Sequence, residues 1–546
     1  MTTKNRLTKL EFLSRFRFAT LLIILPMAIA SFTFYYIYSN TLAAQLGDRG
    51  NNQLITQNWQ IAQQKLVATQ PQYGTKFAYY KLKPLQNLDW AASHFGVSID
   101  ELRQLNPGTA IAGTTIMVPS VEQPFIASTP SDNLAVLIVQ YIQGTVYVTN
   151  SFQNPEVYTT IPELMQLLKP YDVIEQTGPK AYRIMKPLYI QNNIRIDITD
   201  STVSKLELKS VPNFNIVTLT FRDSEALIQN TVITSVDPST GKPDTDFKDG
   251  RSFVRAYGSG RMDIINSDIA YLGMDVTELR NPVIRARVPF LPIGGVYGVS
   301  WRAPTGSFGQ DIVTGWVENS TFEHNHIGSF TFGASGMMWR GNLFTKNDIY
   351  GLDPHDDSSN ATIEYNRFIN NGTHGFIVSK RCNYNVIRNN ISIDNKLHGF
   401  MLHENSDYNI IENNTSISNV DNFVIYSSSL NTIRNNKSYN PRSSHVRINA
   451  GSSQNFVQNN TFHGGSKGIH FYNNVDGLDV TNNIFFHVRD LLVTNKAKHV
   501  VYTGNQSEKI GYVLSKDDRV VFGQNVINRN PSIDLKPLQE AAQYLK

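Results

Sequence analysis

From residue 319 onward one short pattern returns at a nearly fixed interval: ENSTF, RGNLF, EYNRF, RNNIS, ENNTS, RNNKS, QNNTF, TNNIF and YTGNQ. Its anchors, Asn319, Asn342, Asn366, Asn389, Asn413, Asn435, Asn459, Asn482 and Asn505, are separated by 23, 24, 23, 24, 22, 24, 23 and 23 residues. A second marker keeps pace through Gly328, Gly351, Gly375, Gly399, Asn422, His445 and Gly468. An ordinary compact domain has no reason to hold such a period, whereas a chain that grows by stacking units does. Short β-branched and aromatic runs between Asn/Gly turns at this spacing define a right-handed parallel β-helix, an all-β solenoid with coils about 4.8 Å apart. Asn suits the turns because it tolerates left-handed backbone angles and its amide can bond the same amide one coil away.

Alternation along each strand sorts the faces. Counted from the Gly marker, the first and third positions (Phe376 and Val378, Phe400 and Leu402, Phe423 and Ile425) are apolar and point inward. The fourth points outward and reads His355, Ser379, His403, Tyr426, Asn449 and Tyr472. The second, also outward, supplies Asp353, and the residue before the marker adds Tyr350, His374, His398 and Asp421. The stretch YGLDPHDDSSN therefore places Asp353 and His355 on one outward face, at the head of a polar and aromatic column that forms a groove suited to a linear polymer. A neutral imidazole there suits proton abstraction near neutral pH, and Asp353 or Asp356 can hold the ring in its productive tautomer. The cluster Asp353, Asp356 and Asp357 also suits a calcium ion. No nucleotide motif, CxxC pair or HExxH occurs, so phosphoryl transfer, zinc chemistry and a nucleic-acid partner have no support.

The remaining segments read differently. Phe18 to Tyr38 carries no charge and is long enough to cross a bilayer, and Lys4, Arg6, Lys9, Arg15 and Arg17 precede it. It reads as a membrane anchor, with a cleaved signal peptide as the competing reading; either exports the bulk of the chain. Cys382 is the only cysteine, so no internal disulfide is available. The net charge of +4 is compatible with an acidic partner and too small to argue for one.

Residues 76–119, with HFGVSIDELRQLNPG and a terminal IMVP, resemble a LysM domain, the βααβ module that binds N-acetylglucosamine-containing glycans such as peptidoglycan. The stretches DGRSFVRAYGSGRMDIINSDIAYLG, TGWVENSTFEHNHIGSFTF, YGLDPHD, GFIVSK and NKLHGF together resemble the AlgG-type poly(β-D-mannuronate) C5-epimerases. That resemblance implies a catalytic base at His355 and a cation that neutralises the substrate carboxylate. Lys380 matches by coil register and Arg381 by chemical type. Tyr350, His374, His398, His403 and Tyr426 become substrate contacts or stacking residues along polymannuronate, with no cofactor required. Loss of the 4-O leaving group from the same intermediate would make the site a lyase, and a wall-associated binder of acidic glycan is the non-enzymatic alternative. The expected order is a cytoplasmic tail (1–17), an inner-membrane anchor (18–38), a linker (39–75), the LysM-like unit, a periplasmic or otherwise extracytoplasmic solenoid (130–513), and a C-terminal segment (514–546) closing its open end.

Overall fold

The computed structural model describes residues 77–545, apart from 83–86, 96–97, 109, 111–113, 120–133, 152–155, most of 276–295, 306–311 and 529–531. The expected tail, anchor and linker lie outside the described residues. Among those described, no helix is long and apolar enough to cross a membrane.

Strand Phe77–Lys81, helices Leu88–Phe95 and Ile99–Leu105, and strand Thr115–Pro119 come first. The two strands pair antiparallel, and Leu82, Ala91, Leu102 and Ile116 make a small core of their own. Asn106 ties the end of the second helix to the closing strand. Its Oδ1 accepts from the Met117 N–H at 2.6 Å and its Nδ2 donates to the Met117 carbonyl at 2.6 Å.

In the parallel β-helix that follows, coils lay their strands on three sheets. The first stacks Ile327–Phe332, Leu352–His355, Phe376–Ser379, His398–His403, Asp421–Tyr426 and Ser444–Asn449 in parallel. A second runs through Met338–Arg340, Thr362–Glu364 and Val386–Arg388, and a third through Leu343–Thr345, Arg367–Ile369 and Ile391–Ile393. The inward positions are filled as alternation requires: Leu352, Phe376, Phe400, Phe423 and Val446 are all fully buried. Coils approach closely where the third sheet turns into the first. A Cβ on Gly351 would sit 2.4 Å from the Gly375 carbonyl oxygen, which excludes any other residue there. Farther on, Asn422 takes that corner by turning its amide inward, donating to the Ser416 carbonyl at 3.0 Å and Ser438 Oγ at 2.8 Å.

The Asn signature proves to be two columns one residue apart. Asn389, Asn413, Asn435, Asn459 and Asn482 adopt left-handed turns with φ of 55° to 57°, a place taken in other coils by Gly341, Tyr365 and Gly504. The next residue is buried and stacks. Asn342, Asn366, Asn390, Asn414, Asn436, Asn460 and Asn483 each pass an amide N–H to the Oδ1 of the next member, ending on Asn505, at 2.9 to 3.1 Å. The other Nδ2 hydrogen of Asn414 meets the Ile387 carbonyl at 2.8 Å. Asn414→Ala should therefore strand several buried polar groups and cost about 3 kcal/mol, read as a lower denaturant midpoint. Asn413→Gly, which only relieves a left-handed backbone, should cost nothing measurable. Equal losses at the two positions would contradict this division.

A shorter ladder follows the first sheet. Ser358 N–H donates to Cys382 Sγ at 3.2 Å, Cys382 N–H to Ser406 Oγ at 3.3 Å, and Ser406 N–H to Ser428 Oγ at 3.1 Å. Cys382 thus stands in a column of hydroxyls, fully buried, and desolvation pushes its thiol pKa well up.

Parallel pairing begins with Thr145–Thr149 on Leu188–Gln191 and ends with Gln506–Ser507 on Val526–Ile527. The early coils are irregular: the first-sheet partners Leu188, Leu219, Val254, Val299, Ser329 and Leu352 lie 31, 35, 45, 30 and 23 residues apart. Helix Ile161–Leu167 was not expected; it buries Ile161 and Leu164 in the solenoid core. The C-terminal helix Lys536–Ala541 corrects another expectation. Instead of covering an open end, its segment packs Ile533, Leu538 and Ala541 on the flank, against Ile369, Ile393, Ile417 and Tyr439 of the third sheet. Those outward isoleucines form an apolar stripe that must be covered somewhere.

Candidate active site

Strand Leu352–His355 delivers His355 to the outer face of the first sheet, in register with Phe332 on one side and Ser379 on the other. The chain then turns through two successive left-handed residues, Asp356 (φ 36°) and Asp357 (φ 61°). One coil on, Lys380 (66°) and Arg381 (60°) repeat the turn, and Glu404 and Asn405 repeat it again. The conformation belongs to the fold; the residues mounted on it make the site.

His355 Nδ1 hydrogen-bonds Asp356 Oδ2 at 2.6 Å. Asp356 Oδ1 accepts from Arg381 Nη2 at 3.0 Å, and Arg381 also grips Asp357, with Nε to Oδ1 at 3.0 Å and Nη2 to Oδ2 at 2.8 Å. The order guanidinium, carboxylate, imidazole is fixed, and His355 Nε2 is left without a hydrogen-bond partner among the described residues. Burial lowers the His355 pKa, outweighing the opposing pull of the Asp356 charge, so the ring is neutral at neutral pH. Ion pairing with Asp357 and Asp356 pushes the Arg381 pKa up. Lys380 is placed differently. Its charge acts on Asp353, His355 and His403, and its ammonium makes neither an ion pair nor a hydrogen bond among the described residues.

Two expectations change. Asp353 faces outward in register with Phe330, but it is only 2% exposed and its Oδ1 has no hydrogen-bond partner. Tyr350 packs beside it in a layer with Ile377, Met401 and Val424. Desolvation, reinforced by the Asp356 charge, raises the Asp353 pKa well above the carboxylate range, so it carries its proton. Asp356, not Asp353, is the residue that holds the imidazole. The aspartate cluster also does not converge on a cation: Asp353 is buried away from the turn, and Arg381 already occupies Asp356 and Asp357. Among the described residues no group of three or more His, Cys, Asp or Glu side chains is arranged to hold a metal ion.

The expected contacts line up as two ring stacks. Tyr350 lies on His374 at 5.1 Å and His374 on His398 at 4.8 Å. Burial is the main reason that the pKa of His374 falls to about 3 and that of His398 to about 2, so both are neutral, and His398 Nε2 meets Arg447 Nη2 at 2.8 Å. The half-buried His403 stacks on Tyr426 at 5.1 Å and reaches Ser379 Oγ with Nδ1 at 3.1 Å. Arg447, which also pairs with Asp421 at 3.1 Å, was missed, as were Arg302 and Phe332 on the coils before His355. For Arg447, the second-position column was followed only at Asp353. Arg302 lies before the regular period begins.

Fold and site together define a solenoid with a polar and aromatic column along its first sheet and an imidazole–carboxylate pair on that column. A family model described as right handed beta helix region matches residues 301–416 and 377–485, the coils that carry this site. The particular relatives are more specific. The chain is 25% identical to the mannuronan C5-epimerase of Pseudomonas aeruginosa over 240 residues, covering 42% of this chain and 39% of that protein. It is 40% identical to the mannuronan C5-epimerase AlgG of Azotobacter vinelandii over 73 residues, 13% of this chain and 14% of that one. The crystal structure of the periplasmic alginate epimerase AlgG matches with a TM-score of 0.53 at 20% identity, over 70% of this chain and 86% of that one, a likeness of fold. The chain spans about two fifths of the length of the Pseudomonas relatives it matches. The resemblance read from the sequence is thus met by proteins named as mannuronan C5-epimerases.

Proposed function

We propose that this chain is an exported poly(β-D-mannuronate) C5-epimerase that works on polymer lying along the first sheet. The observation that carries the reading is the neutral His355, held through Nδ1 by Asp356, with Nε2 free on the groove face. His355 takes the C5 proton of a mannuronate residue. The charge that develops on the adjacent carboxylate is met by the turn Lys380–Arg381, of which Lys380 is the member whose side chain has no partner among the described residues. Asp356 stabilises the imidazolium, and Arg381 holds Asp356 in place. Water delivers a proton to the opposite face of C5, which gives guluronate, and the His355 imidazolium returns its proton to solvent. His403 and Tyr426 stand two and three coils from His355, ~10 and ~14 Å at the strand spacing, so they meet neighbouring sugars in the polymer. The anchor at 18–38 and a glycan-binding role for residues 76–119 would hold this groove at the wall side of a membrane.

Incubation with polymannuronate in deuterated water tests the reading. Guluronate signals with deuterium at C5, and no unsaturated-uronate absorbance, are expected. New absorbance would make it a lyase, and neither signal would leave a binder.

The working form of His355 is neutral, so activity is present above its pKa and lost as pH falls through it. Because burial lowers that pKa, the acid limb of the rate profile should lie below the ordinary histidine range. Asp356→Asn removes the charge that opposes the shift. The limb should then move to still lower pH while kcat falls by roughly 10²- to 10⁴-fold. A limb moving upward in that variant would contradict the assignment.

A further inference from the structure

The outward column continues beyond His355. Toward the N-terminus it passes, one coil at a time, through Phe332, Arg302, Tyr257 and Arg222. Cation and aromatic ring alternate. The Arg302 guanidinium lies 3.9 Å from the centroid of Phe332, and that of Arg222 lies 5.8 Å from Tyr257. Arg255, buried in the same strand as Tyr257, sets its guanidinium 4.9 Å from that ring and adds to the positive field. Arg302 is half-buried, with one donor near Thr305 Oγ1 at 3.4 Å, and it lies within the field of Asp356. Arg222 is half-exposed, with Asp223 3.5 Å away. Both forks keep donors for a ligand.

The other side of His355 is different. There the column is Ser379, His403, Tyr426, Asn449 and Tyr472, and beside it run Ile377, Met401 and Val424. Arg447, on that side, is committed to Asp421 and His398. Past the turn Lys380–Arg381, which meets the reacting sugar, this side of the groove is neutral, whereas the side toward Arg302 and Arg222 is cationic.

The spacing has chemical content. Arg222 and Arg302 are two coils apart, and Arg302 is two coils from His355, ~9.6 Å each at about 4.8 Å per coil. In a flat 1,4-linked uronan with a twofold twist, carboxylates on one edge recur every second sugar. A diequatorially linked sugar advances by about 5 Å, close to one strand spacing, so same-edge carboxylates fall near the interval of the arginines.

We infer that Arg302 and Arg222 are carboxylate subsites two and four sugars to one side of the reacting residue, with Phe332 and Tyr257 packing on the sugars between, so that beyond the reacting sugar anionic polymer is gripped on that side only. The inference rests on the epimerase reading above and adds a length requirement to it. The protein would need polymer extending at least four residues past the reacting sugar on that side.

The test uses the full chain and oligomannuronates of three to eight residues, followed by proton NMR for turnover and by calorimetry for binding. In the wild type, kcat/KM and affinity should rise with length in two increments. Arg222→Gln should remove the later increment and Arg302→Gln the earlier, each lowering the octamer-to-trimer preference about tenfold, mainly through KM. Arg434→Gln, on the second sheet and paired with Glu412, serves as the charge control and should keep the wild-type preference. Wild-type preference in both groove variants would overturn the inference. If the wild type binds the oligomers without turning them over, the epimerase reading falls and the length dependence of affinity still decides the subsites. No binding at any length overturns both.

Discussion

Replacing His355 with alanine is expected to abolish epimerisation, lowering kcat on polymannuronate by about 10³-fold or more, while polymer affinity and the β-rich circular dichroism stay unchanged. The size of the effect follows from the geometry. His355 is the one imidazole on its coil, its Nδ1 is committed to Asp356 at 2.6 Å, and its other nitrogen has no hydrogen-bond partner among the described residues. Its neighbours cannot substitute: His374 and His398 are buried in a ring stack, and His403 is two coils away. Nor should the fold suffer, because the side chain is partly exposed on the outer face and the coil is held by Leu352 and the ladders inside. Full activity in His355→Ala would remove it from the mechanism. Lost circular dichroism would mean that the coil needs the His355–Asp356 contact to form.

The second large effect is expected at Lys380. Lys380→Ala should cost about 10²- to 10³-fold in kcat, as removal of a charge aimed at a developing carboxylate dianion does. Lys380→Arg should restore part of it. Arg381→Ala should cost less, ~10-fold, and act through Asp356. With the guanidinium gone, the Asp356 charge falls more fully on His355, raises its pKa and moves the acid limb upward, the reverse of Asp356→Asn. The two variants are thus separated by the pH profile as well as by magnitude. A larger loss at Arg381 than at Lys380, with an unmoved acid limb, would make Arg381 the residue that meets the substrate.

The sequence revealed the solenoid because its later coils obey one period, and revealed His355 because the same period placed it outward. It was least legible where local rules compete. The Asn-Asn pairs look like one marker because a left-handed turn and a buried amide ladder both favour Asn, and only hydrogen-bond partners separate Asn413 from Asn414. Arg222, Tyr257 and Arg302 were hidden because loops of unequal length between Leu188 and Ser329 erase the period, although the strands still stack. Asp353 was placed on the correct face, but alternation says nothing about what else covers that face, and Tyr350 and its apolar neighbours do. The pairing of Arg381 with Asp356 and Asp357 spans one full coil. Opposite charges at that separation were visible, whereas their preference for each other over a ligand was not.

The position of Cys382 in the hydroxyl ladder has a practical side. The chain holds a single sulfhydryl, and that one is sealed beneath the turn Lys380–Arg381 with its proton firmly held. Toward bulky maleimide or nitroxide reagents the folded protein behaves as though it had no cysteine. A reporter thiol engineered beside the arginine column would carry its label alone, and sugar docking could be watched spectroscopically with the native sequence otherwise intact.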